Sequence, residues 1–270
     1  ESSQPGESQM LILSLFPGID LLGRGFEAEK FSVVRGPALL WGGDIRGFHV
    51  PSGRFDGVIG GSPCQDFSLA RRCPPTGEGL ELLAEFARVV GEAAPEWFLL
   101  ENVPTVPDVS VDGYYVQRFG LKASECGGKQ SRLRHFQFGS RRGIVIQPAR
   151  KRASRSQEPA CLATEGKRRH RRSFADFCEL QGLPRDFDLP GYSVEAKYRA
   201  VGNGVPVMVA QAIAAAIREA VTDRAARTFT NSRLCLCGCG QIVEGRAVSA
   251  GATCRKRLQK QRQAPRVSVN

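Results

Sequence analysis

Short apolar runs alternate with segments of helical spacing, and this alternation constrains the fold more than any other feature of the chain. Residues 10–16 are apolar except for Ser14 and end at Pro17 and Gly18, which is typical of a buried parallel strand leading into a turn. A helix is expected from about Asp20, whose side chain can cap it. The other predicted elements are strands at 31–34, 55–59 and 97–100 and helices at 79–91 and 208–221. The alternation predicts a doubly wound, Rossmann-like α/β sheet.

The apolar periodicity breaks at two places, and these breaks divide the chain. Basic and small polar residues replace it between residues 144 and 172, which indicates an inserted loop or minimal subdomain. No run approaches the roughly 20 apolar residues of a bilayer span, so a soluble intracellular protein without a membrane partner is expected. The predicted organisation is a disordered leader (1–9), a catalytic and cofactor-binding domain (10–142, resuming at 173–223), a short basic segment (143–172), a linker (224–234) and a small cysteine-rich module with a basic tail (235–270).

The positive charge of the chain is concentrated in two short segments. The formal net charge is +11. Eleven basic residues stand against two acidic ones between Arg141 and Arg172, and seven basic residues against none follow Gly245. This distribution suits a polyanion that is contacted at defined places. The alternative is a pair of solvated charge runs.

Nine cysteines, an odd number scattered over a chain of this size, argue against a disulfide framework. They favour free thiols, a nucleophile or metal ligands. A small C-terminal module would need a structural ion in order to fold, and four thiolates satisfy zinc. The candidate zinc ligands are Cys235, Cys237, Cys239 and Cys254. The alternative is a flexible tail that bears cysteines.

Cys64 and Glu101 follow two neighbouring predicted strands. Pro63-Cys64-Gln65 comes after the strand at 55–59, two glycines and Ser62, and Glu101 follows the strand at 97–100. Because the carboxyl ends of parallel strands open on one edge, both side chains should face one cleft. Together they supply a nucleophile and a carboxyl group able to protonate a ring nitrogen. By itself a cysteine is more often a small buried hydrophobe.

Two further turns lie where α/β sheets bind adenosine-containing cofactors. The first is the glycine turn after residues 10–16, and the second holds Asp44, which could accept a hydrogen bond from an adenine amino group. Each is also compatible with an ordinary turn.

Seven short motifs in a fixed order make the sequence resemble the cytosine-5 DNA methyltransferase family, of the small bacterial or phage type. The resemblance runs from about Leu11 to Ile217. Its motifs are Leu15-Phe16-Pro17-Gly18 with Gly25-Phe26-Glu27, then Asp44-Ile45, Pro63-Cys64-Gln65, Glu101-Asn102-Val103, Gln130-Ser131-Arg132-Leu133-Arg134, Leu180-Gln181-Gly182-Leu183-Pro184 and Gly202-Asn203-Gly204-Val205-Pro206.

The resemblance implies a mechanism and a set of site residues. The target cytosine is flipped out of the duplex, Cys64 attacks C6, Glu101 assists at N3, and C5 receives the methyl group of S-adenosylmethionine. By similarity Arg134 contacts the O2 atom of the base and Arg132 orders Glu101. The cofactor residues implied are Phe16, Gly18, Ile19, Asp44, Ile45, Pro63, Asn203 and Val205. The expected DNA contacts are Gln65, Arg150, Lys151, Arg152, Arg168, Arg169, Arg171 and Arg172. A bacterial or phage-infected cytoplasm and a restriction-modification context follow from the same resemblance.

Three departures from the family pattern qualify these expectations. Asp20 and Leu21 replace two glycines of the first motif, and Arg35 and Gly36 stand where an acidic residue should hold the ribose hydroxyls. The recognition region at 143–172 is too short for a core of its own, so a short or relaxed target sequence is expected. Two alternatives remain open: an inactive methyltransferase fold that serves as a DNA-binding or regulatory subunit, and an RNA cytosine-5 methyltransferase.

Overall fold

The computed structural model describes residues 9–38, 42–68, 74–152 and 157–223, together with 233–234, 242–243, 249, 252–261 and 267–268. The strands are β1 (Leu11–Leu15), β2 (Ser32–Arg35), β3 (Gly57–Gly61), β4 (Trp97–Asn102), β5 (Val109–Ser110), β6 (Tyr115–Lys122), β7 (Leu133–Ser140), β8 (Arg233–Leu234), β9 (Ile242–Val243) and β10 (Val267–Ser268). The helices are α1 (Leu21–Ala28), α2 (Glu78–Ala93), α3 (Phe174–Leu180), α4 (Val194–Asn203), α5 (Val207–Thr222) and α6 (Ala252–Gln261).

A six-stranded mixed sheet organises the described chain in the order β2-β1-β3-β4-β7-β6. The first four strands are parallel, whereas β7 runs antiparallel to both β4 and β6. Because the first four strands are parallel, their carboxyl ends open on one edge of the sheet. The predicted α/β class is therefore confirmed, with a sheet that is mixed rather than wholly parallel.

Strands β1, β3 and β4 contribute side chains to two separate cores, because successive residues point to opposite faces. Ile12, Ile59 and Trp97 pack on the face that α1 and α5 cover. Leu13 and Val58 pack on the face that α2 covers. Helices on both faces are the feature that the alternating pattern predicts, and α1 begins after Asp20, which accepts a hydrogen bond from Gly23 N as expected of a cap.

The β6–β7 hairpin was not predicted, because buried glutamines interrupt its apolar pattern. Gln117 exchanges hydrogen bonds with the backbone of Ile146 at 2.9 and 3.0 Å. Gln137 donates to Pro107 O and accepts from Val109 N, both at 2.8 Å. Each side-chain amide therefore makes hydrogen bonds with the backbone of a loop that packs against the sheet, so burial of the glutamine costs little free energy.

Residues 194–222 are long and apolar enough to cross a membrane by length and composition, with a mean hydropathy of 1.6 in the most apolar window. They form α4 and α5, which are separated at 204–206, and 56% of that window is buried inside the protein. Gly25 of α1 lies so close to α5 that a Cβ there would approach Ala210 Cβ to 2.3 Å. This close packing is typical of a core helix pair.

Ion pairs hold the basic segment both internally and to the rest of the protein, where Arg150 pairs with Glu125 and Lys167 pairs with Glu195 of α4. Among its described residues the only helical turn is a short 3-10 turn at Glu165–Lys167. Glu165 is buried and pairs with Arg172 at 2.5 Å, while Tyr198 of α4 donates to Arg172 O at 2.5 Å. The Arg172 guanidinium therefore points inward to Glu165 instead of standing free as a DNA contact, while its backbone carbonyl joins the segment to α4.

The predicted zinc site falls mostly outside the described residues. Cys235, Cys237 and Cys239 are not among them, while Cys254 is buried in α6. Across the residues that are described, no group of three or more metal-ligating side chains converges. Zinc binding by the tail stays a prediction, as do the leader and the linker.

Candidate active site

Cys64 stands just beyond the carboxyl end of β3. The strand ends at Gly61, and after Ser62 and Pro63 the chain turns at Cys64 into a 3-10 turn at Gln65–Phe67. Phe67 N donates to Cys64 O at 3.1 Å and closes the turn. The thiol is half-buried and lines a cavity of about 310 Å³.

Glu101 reaches the same cavity from the end of β4. It pairs in register with Gly61 of β3, and a Cβ at Gly61 would lie 2.8 Å from Glu101 Oε2. Only glycine at this position leaves room for the carboxylate over the end of β3. The structure thus brings Cys64 and Glu101 into one cleft, as the parallel strand ends predict.

The two arginines of the Gln-x-Arg-x-Arg motif have different partners from those implied by the resemblance. Arg134 Nε lies 2.8 Å from Glu101 Oε1 and lines the cavity. Arg132 is buried and donates to Cys161 O, to Gly202 O at 2.5 Å and to a further carbonyl at residue 204 at 3.3 Å.

This difference follows from the strand register. The pairing of β4 with β7 ends at Asn102 and His135, so Arg134 is still beside the end of β4 while Arg132 lies beyond it. The expectation that Arg132 orders Glu101 is therefore replaced by a pairing of Arg134 with Glu101. Arg132 instead links the segment at Cys161 to the end of α4.

Burial and neighbouring charge set the protonation of the two central groups. Burial raises the pKa of the Cys64 thiol, the Glu101 carboxylate raises it further, and Arg134 opposes both. Burial also raises the pKa of Glu101, against the opposing charges of Arg134 and Arg132. The site therefore favours a neutral thiol beside a carboxyl group that holds its proton to higher pH than an exposed glutamate.

All eight residues expected to hold the cofactor line the same cavity as Cys64 and Glu101. They are Phe16, Gly18, Ile19, Asp44, Ile45, Pro63, Asn203 and Val205. They come from the turn after β1, the loop before β3, the turn after β3 and the link between α4 and α5. An apolar wall with a few polar groups is what an adenosine-containing ligand needs.

Two of the departures from the family pattern, Asp20 in the first motif and Arg35 at the end of β2, form a pair with each other. Asp20 takes the left-handed conformation with φ 55°, which Asp tolerates better than most residues. Its carboxylate accepts from Ser14 Oγ and Gly23 N, each at 2.9 Å, and lies 2.8 Å from Arg35 Nε. Asp20 also lines the cavity. Sequence reasoning treated the acid and the arginine as separate losses, although their opposite charges could have indicated the pairing.

Arg46 is a cavity residue that sequence reasoning missed. Its backbone N–H and guanidinium hold both oxygens of Asp44, at 3.0 and 2.9 Å. The same guanidinium lies 2.7 Å from Glu81 of α2. Asp44 is thereby fixed at the cavity wall. A basic residue two positions after Asp44 was the sequence signal that could have indicated this pairing.

The predicted DNA contacts are distributed unevenly. Lys151, Arg152, Arg168 and Arg169 are exposed, and Gln65 is exposed beside the cavity. The other three have protein partners: Arg150 pairs with Glu125 at 2.6 Å, Arg171 stacks 5.9 Å from the ring centre of Tyr198, and Arg172 is the inward residue described above.

Residues 42–168 and 151–219 match the family model described as C-5 cytosine-specific DNA methylase. The chain is 36% identical to the type II methyltransferase M.HgiDI of Herpetosiphon aurantiacus over 101 residues, which are 33% of this chain and 32% of the relative. It is 31% identical to the type II methyltransferase M.FnuDI of Fusobacterium nucleatum over 172 residues, which are 51% of this chain and 48% of the relative. The matches thus span between about a third and a half of these relatives' length.

Two solved structures share the fold at low identity. The Entamoeba histolytica methyltransferase EhMeth aligns with a TM-score of 0.58 at 11% identity and covers 80% of this chain and 100% of its own. The S. pombe Dnmt2 methyltransferase aligns with a TM-score of 0.53 at 12% identity and covers 78% and 99%. These likenesses support the architecture alone.

Proposed function

The chain belongs to the C-5 cytosine-specific DNA methylase family, and from this premise we propose that it methylates C5 of cytosine in double-stranded DNA through a covalent Cys64 adduct on a flipped base. The observation that supports this most directly is the presence of Cys64, Glu101 and Arg134 in one cavity with the residues expected to hold the cofactor. A pure binding protein has no need of this combination.

The lining of the cavity suits S-adenosylmethionine. Phe16, Ile45 and Val205 offer apolar surface to an adenine ring, and the Asp44 carboxylate, held by Arg46, can accept from its amino group. S-adenosylmethionine supplies an electrophilic methyl group when bound. The family pattern places an acid at the end of β2, and here Asp20 is the acid on that side of the cavity.

The chemistry that the protein supplies begins with the thiolate of Cys64, which forms a bond to C6 of the cytosine. Glu101, in its protonated form, donates its proton to N3, so the electrons of the ring collect at C5 instead of on the ring nitrogen. Arg134 holds the Glu101 carboxyl group in place. After methylation a base removes the C5 proton, the bond between sulfur and C6 breaks, and Cys64 leaves as a thiolate.

The electrostatics of the site agree with these roles. Because burial raises the pKa of Glu101, its proton is retained to higher pH and is available for N3. Because the pKa of Cys64 is also raised, the free protein holds a thiol that must lose its proton before attack. The thiolate fraction, and with it the rate of adduct formation, is expected to increase as the pH rises above neutral.

On the DNA side we infer a short or relaxed recognition sequence. The exposed basic residues of the segment at 143–172 suit phosphate contacts, which position DNA without reading its sequence. Because the matched relatives are type II methyltransferases, a restriction-modification context and a cytoplasmic location are the natural setting for this activity.

One experiment tests both the activity and the selectivity. The protein is incubated with S-adenosylmethionine and mixed-sequence duplex DNA, and cytosine conversion sequencing maps the methylated positions. We expect 5-methylcytosine at a site of fewer than six defined bases. A longer strictly defined site would contradict the recognition proposal. Methylation of RNA but not of duplex DNA would contradict the substrate, and no methylation of either would favour an inactive binding subunit.

Replacing Gly61 with alanine is expected to lower activity much more than stability. The new Cβ would press on Glu101 Oε2, which is the end of a flexible side chain, so the carboxylate moves while β3 stays in place. We expect roughly a 10-fold or greater loss of methyl transfer, since small misplacement of a catalytic group is costly. Methyl transfer and the melting temperature measure the two effects.

The matched control is Gly91→Ala on α2, where a Cβ meets no atom within 4 Å. This variant should keep full activity. Unchanged methyl transfer by Gly61→Ala would show that the carboxylate does not need its present position.

A further inference from the structure

The nucleophile turn, residues 62–67, leaves the sheet at the end of β3 and is held by side chains from neighbouring segments. Asn102 Nδ2 donates to the carbonyl oxygen and the hydroxyl oxygen of Ser62, at 3.1 and 2.9 Å. Asn102 belongs to the glutamate motif, so this first anchor is part of the family pattern. Two further anchors, at Asp66 and at Phe67, lie on the other side of Cys64.

Asp66 joins the nucleophile turn to the beginning of α2. The residue before this helix is Gly77, which has no side chain to cap it. Asp66, which is distant in sequence, caps the helix instead. Its carboxylate accepts hydrogen bonds from Thr76 N at 3.0 Å and from Gly79 N at 2.9 Å. A carboxylate at a helix N-terminus is favourable, and these donors lower the pKa of Asp66.

The close approach of the helix to the turn supports this coupling. A Cβ at Gly79 would come within 2.9 Å of Asp66 Cβ and 3.1 Å of the Phe67 ring. The first turn of α2 therefore packs directly on the nucleophile turn. A shift of Asp66 would be transmitted to Cys64 through the backbone of one intervening residue, Gln65.

Thr105 joins the nucleophile turn to the loop that follows Glu101. Its hydroxyl donates to Phe67 O, and Phe67 N in turn donates to Cys64 O. The segments that carry the two catalytic groups are thus linked on both sides of Cys64, by Asn102 before it and by Thr105 after it.

We propose that Asp66 and Thr105 are positioning residues that hold Cys64 in its orientation toward the target base. Neither side chain lines the cavity, so they act through the turn rather than on substrate. This inference rests on the proposed function for its kinetic effects, but it also makes a statement about the thiol that does not need turnover.

The first test is Asp66→Asn in the full chain. Asn keeps the shape, but it turns one oxygen into an NH₂ group that must face Thr76 N or Gly79 N, so one anchor is lost. We expect kcat to fall about 10-fold or more, while the Kd for S-adenosylmethionine, measured by calorimetry, stays within about twofold of wild type because the cavity wall is untouched. Alkylation of Cys64 by iodoacetamide, measured by mass spectrometry, should become several-fold faster as the turn loosens.

The matched control is Asp176→Asn. Asp176 also lies in the first turn of a helix, α3, where Ser173 Oγ and Arg185 contact its carboxylate. It does not contact the nucleophile turn. This variant should match wild type in kcat and in alkylation.

The second test separates the Thr105 hydrogen bond from general loosening. Thr105→Val removes the hydroxyl and should lower kcat and speed alkylation in the same way, whereas Thr105→Ser should restore both. Unchanged kcat in Asp66→Asn, equal losses in Thr105→Val and Thr105→Ser, or cofactor affinity that falls in parallel with kcat would each overturn the proposal. If wild type proves inactive, the proposed function fails. Unchanged alkylation in both Asp66→Asn and Thr105→Val would overturn the present inference, whether or not wild type is active.

Discussion

Cys64→Ala is expected to abolish both methyl transfer and the covalent adduct that wild type forms with DNA containing 5-fluorocytosine. Fluorine at C5 cannot leave as a proton does, so after methylation the bond between Cys64 and C6 has no route to break. Wild type should therefore accumulate a stable protein–DNA complex in the presence of S-adenosylmethionine. Without the sulfur no bond to C6 can form, and C5 does not become nucleophilic. Denaturing electrophoresis with labelled DNA measures the adduct.

Cys126→Ala is the matched control for this experiment. Cys126 is also a free cysteine, but it is buried in the core under α5 and lies outside the cavity. Its replacement should leave adduct formation intact. An adduct that persists in Cys64→Ala would assign the chemistry to another nucleophile. An adduct that is lost equally in Cys126→Ala would show that the loss results from misfolding.

The parallel half of the fold could be predicted from sequence because its pattern is local. Each of the four parallel strands is a short apolar run followed by a turn signal, and the helix after β1 begins at the capping residue that marks it. The shared cleft of Cys64 and Glu101 followed from the rule that parallel strand ends open together. Knowing which strands are neighbours was enough to bring distant residues into one site.

The partners of the arginines could not be predicted in the same way. Whether Arg132 or Arg134 meets Glu101 depends on the residue at which β4 stops pairing with β7, and a motif that contains both arginines does not specify this register. The burial of Gln117 and Gln137 could not be predicted for a related reason. Their hydrogen bonds go to loops that are distant in sequence, so a pattern read along the chain registers them as polar and exposed.

The pair of Asp20 and Arg35 shows that two departures from a family pattern can be one feature. Read separately, an acid in a glycine position and a base in an acid position both argue against cofactor binding. In the structure Arg35 Nε lies 2.8 Å from Asp20 Oδ2, and the acid remains at the cavity wall. Asp20, which caps α1, therefore gives the cavity an acid beside the end of β2.

Glu101→Gln is expected to reduce methyl transfer by about 10² to 10⁴-fold, the usual contribution of a general acid. Gln keeps the length of the side chain and can still face Arg134, but it has no proton to give to N3. Quenched methyl-transfer assays with labelled S-adenosylmethionine at several pH values would measure the loss. Because the thiol and the carboxyl group interact, the pH profile of wild type reports the pair rather than either residue alone.

The same substitution should shift the alkylation of Cys64 by a small electrophile to lower pH. This shift separates a chemical role of Glu101 from a structural one, because a loosened site would speed alkylation at every pH. The negative charge of Glu101 raises the pKa of Cys64, and Arg134 lowers it. Removing the acid therefore leaves Arg134 free to favour the thiolate, so alkylation by iodoacetamide between about pH 7 and 9 should be faster than in wild type. If methyl transfer fell in Glu101→Gln while the pH dependence of alkylation stayed as in wild type, the carboxyl group would be maintaining the shape of the site instead of setting the charge beside Cys64 and supplying a proton.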